Sequence, residues 1–178
     1  MRNRLPGCKP CDIYETGLYD NNNLVWEPIW TKNIIKAAKK ILTYKNKYKN
    51  IEVGFSFDLE TGETSGLNIG DNDSVELDKP PRHFKLVGTI HNHPEYYCPL
   101  SSVDIEDLLT NTEQRKTKVD VAIDLNKTLW LAIRCCKAMA SVDDVENVIK
   151  KSRHKDDWQT VQTVAAMFNV KLFKGTLK

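Results

Sequence analysis

The sequence predicts an α/β protein: one domain with a mixed central sheet flanked by helices. Three observations lead there. A stretch of helical periodicity over 34–42 gives way at once to strict alternation over 51–58. The rest of the chain keeps switching between those two periods, the mark of helices and strands interleaved around one core. Finally, 178 residues suit one domain and can bury a core without cross-links. The 40% apolar and 28% charged residues are ordinary for a globular chain.

Residues 1–28, rich in Pro, Gly, Asn and polar side chains, read as an N-terminal extension or arm, and 29–178 as the domain. Trp26 and Trp30 flank Pro28 and are placed to anchor the arm. A helix is expected from Thr31, with Ile34, Ile35, Ala38, Ile41 and Leu42 on one face and Lys32, Lys36, Lys39 and Lys40 on the other. Over 51–58, Ile51, Val53, Phe55 and Phe57 point one way and Glu52, Gly54, Ser56 and Asp58 the other. A turn at Glu60-Thr61-Gly62-Glu63 leads to a second strand near 64–69, and 70–82 is a polar loop. A strand rich in Val, Ile and Thr covers 84–91 and is stopped by Pro94. Ser101 or Ser102 opens a helix to about 115, and 119–125 with 128–135 form a hairpin around Asn126-Lys127. Amphipathic helices near 142–153 and 156–168 and a short strand over 170–173 complete the pattern.

The formal net charge of +2 gives no global reason to invoke nucleic acid or a membrane surface. No apolar run approaches the roughly 18 residues of a membrane span. The opening MRNRLPGCKPC lacks the apolar stretch of a secretory signal. Five cysteines, at 8, 11, 98, 135 and 136, are odd in number and form no disulfide pattern, so a cytoplasmic chain with reduced thiols is expected. Cys8-Lys-Pro-Cys11 resembles half of a structural zinc site, but no second such pair follows, and adjacent Cys135 and Cys136 would diverge on a strand. Free thiols are the simpler reading. The seven lysines between 32 and 49 are by default a solvated face, with an acidic partner or phosphate as the alternative.

The chemistry concentrates in His91-Asn-His93-Pro94, six residues, then Ser101-Ser-Val-Asp104. Residues two apart on a strand share a face, so both imidazoles can serve one point. Pro94 puts them at the strand's end, where a site is open. Ser101 and Asp104, three apart, are neighbours on a helix. Two imidazoles and a carboxylate make a three-ligand zinc set that leaves a fourth position for water. The plainer readings are a packed histidine pair and a capping box at Ser101–Asp104, and the second is compatible with a ligand in the first helical turn. Cys98 falls in the loop between the two halves but would close the position that water needs.

This H-x-H-P-x6-S-x2-D spacing resembles the signature of the JAMM (MPN-plus) zinc metalloproteases, and the order of elements extends the resemblance over about 31–170. The resemblance implies a cytidine-deaminase-like α/β fold and one catalytic Zn2+ per chain. It implies His91, His93 and Asp104 as metal ligands and Ser101 as the donor to the oxyanion. A glutamate on an earlier strand would be the general base; Glu52 fits that place, with Glu60 and Glu63 as fallbacks. The activity implied is removal or processing of a ubiquitin-like modifier, its conjugate being the substrate partner. The alternatives are a RadC-like protein, which shares the His-Asn-His-Pro wording, and a non-catalytic MPN-type scaffold for protein or nucleic acid. The absence of interleaved aromatic and basic residues argues against nucleic acid.

Overall fold

The computed structural model describes residues 12–15, 28–110, 117–134, 140–152 and 156–177. The expectations for Cys8, Cys11, Trp26, Cys135 and Cys136, and for the helix beyond residue 110, lie outside them.

Helix α1, Pro28–Tyr44, begins three residues earlier than the periodicity indicated. Proline suits a first turn, because its fixed φ is already helical and the N–H it lacks has no partner there anyway. Ile34, Ile35, Ala37, Ala38 and Ile41 are buried, packed with Val53, Phe55 and Phe57 of β2, Val53–Asp58. Asn33 ties the helix to the turn after β2, its amide donating to the carbonyls of Leu59 (2.8 Å) and Glu60 (3.1 Å). Two lysines of the basic face also have fixed partners: Lys36 donates to the Gly62 carbonyl, and Lys40 to Thr64 while lying over the Phe55 ring.

The alternation over 51–58 is present, but neither face is wet. All of β2 is buried, including Ser56 and Asp58. Asp58 stays inside because its carboxylate accepts from the main chain of Glu60, Thr61 and Lys85. Those bonds outweigh the cost of burial and hold its pKa below the ordinary value. The expected strand near 64–69 shrinks to β3, Asn68–Ile69, with a lone bridge between Phe57 and Thr64. Strand β4 is Val87–Asn92, starting later than expected, since Asp58 takes the Lys85 N–H.

Next come α2 (Ser102–Thr110), the hairpin β5 (Thr117–Ile123) and β6 (Thr128–Arg134), α3 (Val142–Lys151), α4 (Asp157–Met167) and β7 (Val170–Thr176). Lys127, at φ 60°, makes the tight hairpin turn. Strand β7 runs past residue 173 because it pairs on both sides, with β6 and with β1, Asp12–Glu15, inside the segment read as an arm. The seven strands form one mixed sheet in the order β1-β7-β6-β5-β4-β2-β3. Among the described strands only β4 and β5 run parallel, joined by the crossover that includes α2. The sheet separates two apolar clusters. One holds α1 with the odd-numbered residues of β2 and β5; the other holds α2, α3 and α4 against Ala122, Trp130, Ala132 and Leu172. The result is an α/β fold with helices on both faces of a mixed sheet. No described helix is long and apolar enough to cross a membrane.

Candidate metal centre

Strand β4 lies between an antiparallel and a parallel neighbour, pairing Gly54 with His91 on one side and Ala122 with His91 on the other. Its even-numbered Ile90 belongs to the α1 side, so Thr89, His91 and His93 face α2. Beyond the strand's end the chain still clings to β5: His93 N–H donates to the Ile123 carbonyl (2.9 Å), and Leu125 N–H to that of Glu95 (3.0 Å). Buried Leu100 then anchors the loop before Ser101 starts α2. Glu52 precedes β2 and is only 8% exposed, beside the histidines at 5% and 6%.

The two Nε2 atoms of His91 and His93 stand 3.0 Å apart. His91 Nε2 is 3.4 Å from Asp104 Oδ1, and His93 Nε2 is 3.8 Å from both Asp104 Oδ2 and Glu52 Oε1. Tetrahedral zinc with bonds of 2.0–2.1 Å needs ligand atoms about 3.3 Å apart. The separations bracket that value. His93 Nδ1 lies 3.2 Å from the Cys98 carbonyl, which only accepts, so Nδ1 carries the proton and Nε2 offers its lone pair to the cleft. His91 turns its Nδ1 to Asp120 Oδ1 at 3.9 Å, and that carboxylate is held by the Thr89 hydroxyl (2.7 Å) and the Val121 N–H (3.0 Å). Glu52 with the histidine pair, and Asp104 and Asp120 with His91, form two overlapping groups able to hold a metal ion.

The electrostatics ask for a cation. Burial alone would lower the pKa of His91, but the carboxylates of Asp104, Asp120 and Glu52 outweigh it and raise it to about 10. Burial and the charge on His91 push His93 down to about 4. Asp104, in spite of burial, is held well below the usual carboxylate range by His91. Burial raises Glu52 and Asp120 to about 7 each. The pair thus carries one positive charge, on His91, in the place a divalent ion would take. The Cys98 thiol, raised by burial to about 11, stays protonated at neutral pH, and it belongs to neither of the two groups able to hold a metal.

Ser101 reaches the site as the cap of α2. Its hydroxyl accepts from the Asp104 N–H (3.2 Å) and donates to Asp104 Oδ2 (2.8 Å), while its own N–H donates to the same oxygen (2.6 Å). The capping-box geometry and the ligand position therefore coexist, and the hydroxyl proton points at Asp104. The fallback bases are elsewhere: Glu60 is an exposed turn residue and Glu63 pairs with His83 at 3.0 Å. The centre opens into a cavity of about 550 Å3 between the loop around Asp73–Leu77 and the stretch from His93 to Asp107. Asp73, Glu76, Glu95 and Asp107 line its outer part, and no lysine or arginine lines it among the described residues. Tyr96 and Tyr97 are exposed between the lining residues Glu95 and Cys98.

Two residues of the centre escaped the sequence reading. Asp120 is a carboxylate set between Val119 and Val121, which is a usable signal; Asn92 looks like a spacer between histidines. Comparison with known protein families, with curated proteins and with solved structures finds no match for this chain.

Proposed function

We propose that the chain is a zinc-dependent isopeptidase or peptidase of the JAMM type, acting on the C-terminal tail of a ubiquitin-like protein or its conjugate. The observation that carries this reading is the convergence of two Nε2 atoms, Asp104 and a separate buried glutamate on one point in an open cleft. His91, His93 and Asp104 would hold the ion. Bound there, zinc supplies Lewis acidity toward a scissile carbonyl and acidifies a water.

The remaining roles fall to the chain's own groups. Glu52, with a pKa near 7, can take a proton at neutral pH and return it to a leaving amine. Ser101 supplies a hydroxyl donor for the oxyanion once it rotates away from Asp104. A full ligand set beside a base of matched pKa favours catalysis over a bare scaffold, and the acidic lining opposes a polyanion such as nucleic acid.

The test is metal analysis joined to turnover. Purified protein should hold about one zinc per chain, lost in His91→Ala and Asp104→Ala. Glu52→Gln should keep the metal and lose cleavage of a ubiquitin-like C-terminal amide. Full activity in Glu52→Gln, or wild-type protein unable to bind zinc, would overturn the reading.

A further inference from the structure

We propose that Asn92 is the positioning residue that fixes Glu52 relative to the histidine pair, a role that rests on the hydrolase reading above. The main-chain ladder between β2 and β4 ends at the Gly54–His91 pair. One residue further along the ladder to β2 has ended, while the β5 side continues through the His93 N–H to the Ile123 carbonyl. There the side chain of Asn92 substitutes for a peptide group. Its Oδ1 accepts from the Val53 N–H at 2.7 Å, and its Nδ2 donates to the Ile51 carbonyl at 3.2 Å.

Those two groups belong to the two peptide units that bound Glu52. The opposite sides of the same units are held as well: the Glu52 N–H donates to the Asp71 carbonyl (2.6 Å), and the Glu52 carbonyl accepts from the Gly70 N–H (2.9 Å). Each flanking peptide is thus gripped from both edges, which locks the axis about which Glu52 turns. The carboxylate itself makes no hydrogen bond among the described residues, so its aim at the centre comes from that main-chain grip. An amide is the side chain suited to this task, since it alone offers a donor and an acceptor side by side with no charge. Asn92 also sits between the two candidate ligands, so one residue sets the histidines and the base at a common distance.

A base displaced by about 1 Å can lose about 100-fold in rate. Asn92→Ala should therefore lower kcat about 100-fold with KM and zinc content close to wild type. Glu52→Gln should lose the same step with zinc kept, because the clamp acts through Glu52. A raised KM with kcat unchanged, or a loss of zinc, would overturn the proposal. Asn92→Asp keeps the acceptor for Val53, should fall between the two, and serves if the alanine variant does not fold. If the wild type cleaves nothing, the hydrolase reading fails and crystals of zinc-loaded Asn92→Ala read the clamp by themselves. A Glu52 carboxylate moved by about 1 Å, with the histidines in place, supports it; an unmoved carboxylate overturns it.

Discussion

Zinc should bind this chain more tightly by about tenfold for each unit of pH between 7 and 9. The metal-free centre keeps a proton on His91, whose pKa is raised from 6.5 to about 10. A raised histidine stabilises the fold fully below its unfolded value, and that contribution disappears as pH climbs through 10. A cation must displace the proton, so each pH unit below 10 adds a tenfold handicap, about 1.4 kcal/mol. Across pH 7 to 9 the gain is about 100-fold, or about 2.7 kcal/mol. At a fixed free zinc concentration it should widen the gap in Tm between loaded and chelated protein by about 5–10 °C. An ordinary histidine would already be neutral at pH 7 and would give a level curve. Competition against a chelator of known affinity at pH 7, 8 and 9, beside thermal melts at buffered zinc, measures the slope. A flat affinity over that range would refute the reasoning.

Asp120→Asn removes one of the carboxylates that raise His91, so the pH at which zinc affinity stops rising should move below the wild-type value in the same titration; an unchanged break would deny that coupling. Gly54→Ala would put a Cβ 2.7 Å from Leu77 Cδ2 and 2.9 Å from the Ile90 carbonyl, and urea unfolding should show a loss of about 1–3 kcal/mol. An unaltered midpoint would mean that the loop over β2 yields freely. Asn33→Ala leaves the carbonyls of Leu59 and Glu60 without their donor, which should cost about 1–3 kcal/mol in the same assay. Its zinc affinity should match wild type, since α1 packs on the face of the sheet away from the centre.

What the sequence made legible follows from locality. His91, His93, Ser101 and Asp104 lie on one strand, one loop and one helical turn, so spacing along the chain is nearly spacing in space. The hairpin at Asn126-Lys127 and the two late helices are local in the same sense, and Ser141 and Asp156 cap those helices with side chains that are visible in the sequence. Asp120 was hidden because it reaches His91 only through the parallel register of β4 and β5, where Thr89 pairs with Asp120. Asn92 was hidden because its partners, Ile51 and Val53, sit some forty residues away along the chain. The burial of Ser56 and Asp58 was illegible for a related reason: a strand cannot announce that its second face will be covered. Strand β1 takes its register entirely from β7, so four residues of mixed character carried too little pattern to be read alone.

Local charge differs between α1 and the cleft. Exposed lysines 32, 36 and 39 ride on α1, while the carboxylates around the cleft sit on the other side, and the formal total of +2 conceals the contrast. A molecule polarised in this way presents different signs to different columns: it should adhere to both cation and anion exchangers at low ionic strength, each time by a different side. In a crowded solution the same polarity would turn an approaching basic segment toward the acidic cleft before any contact is made.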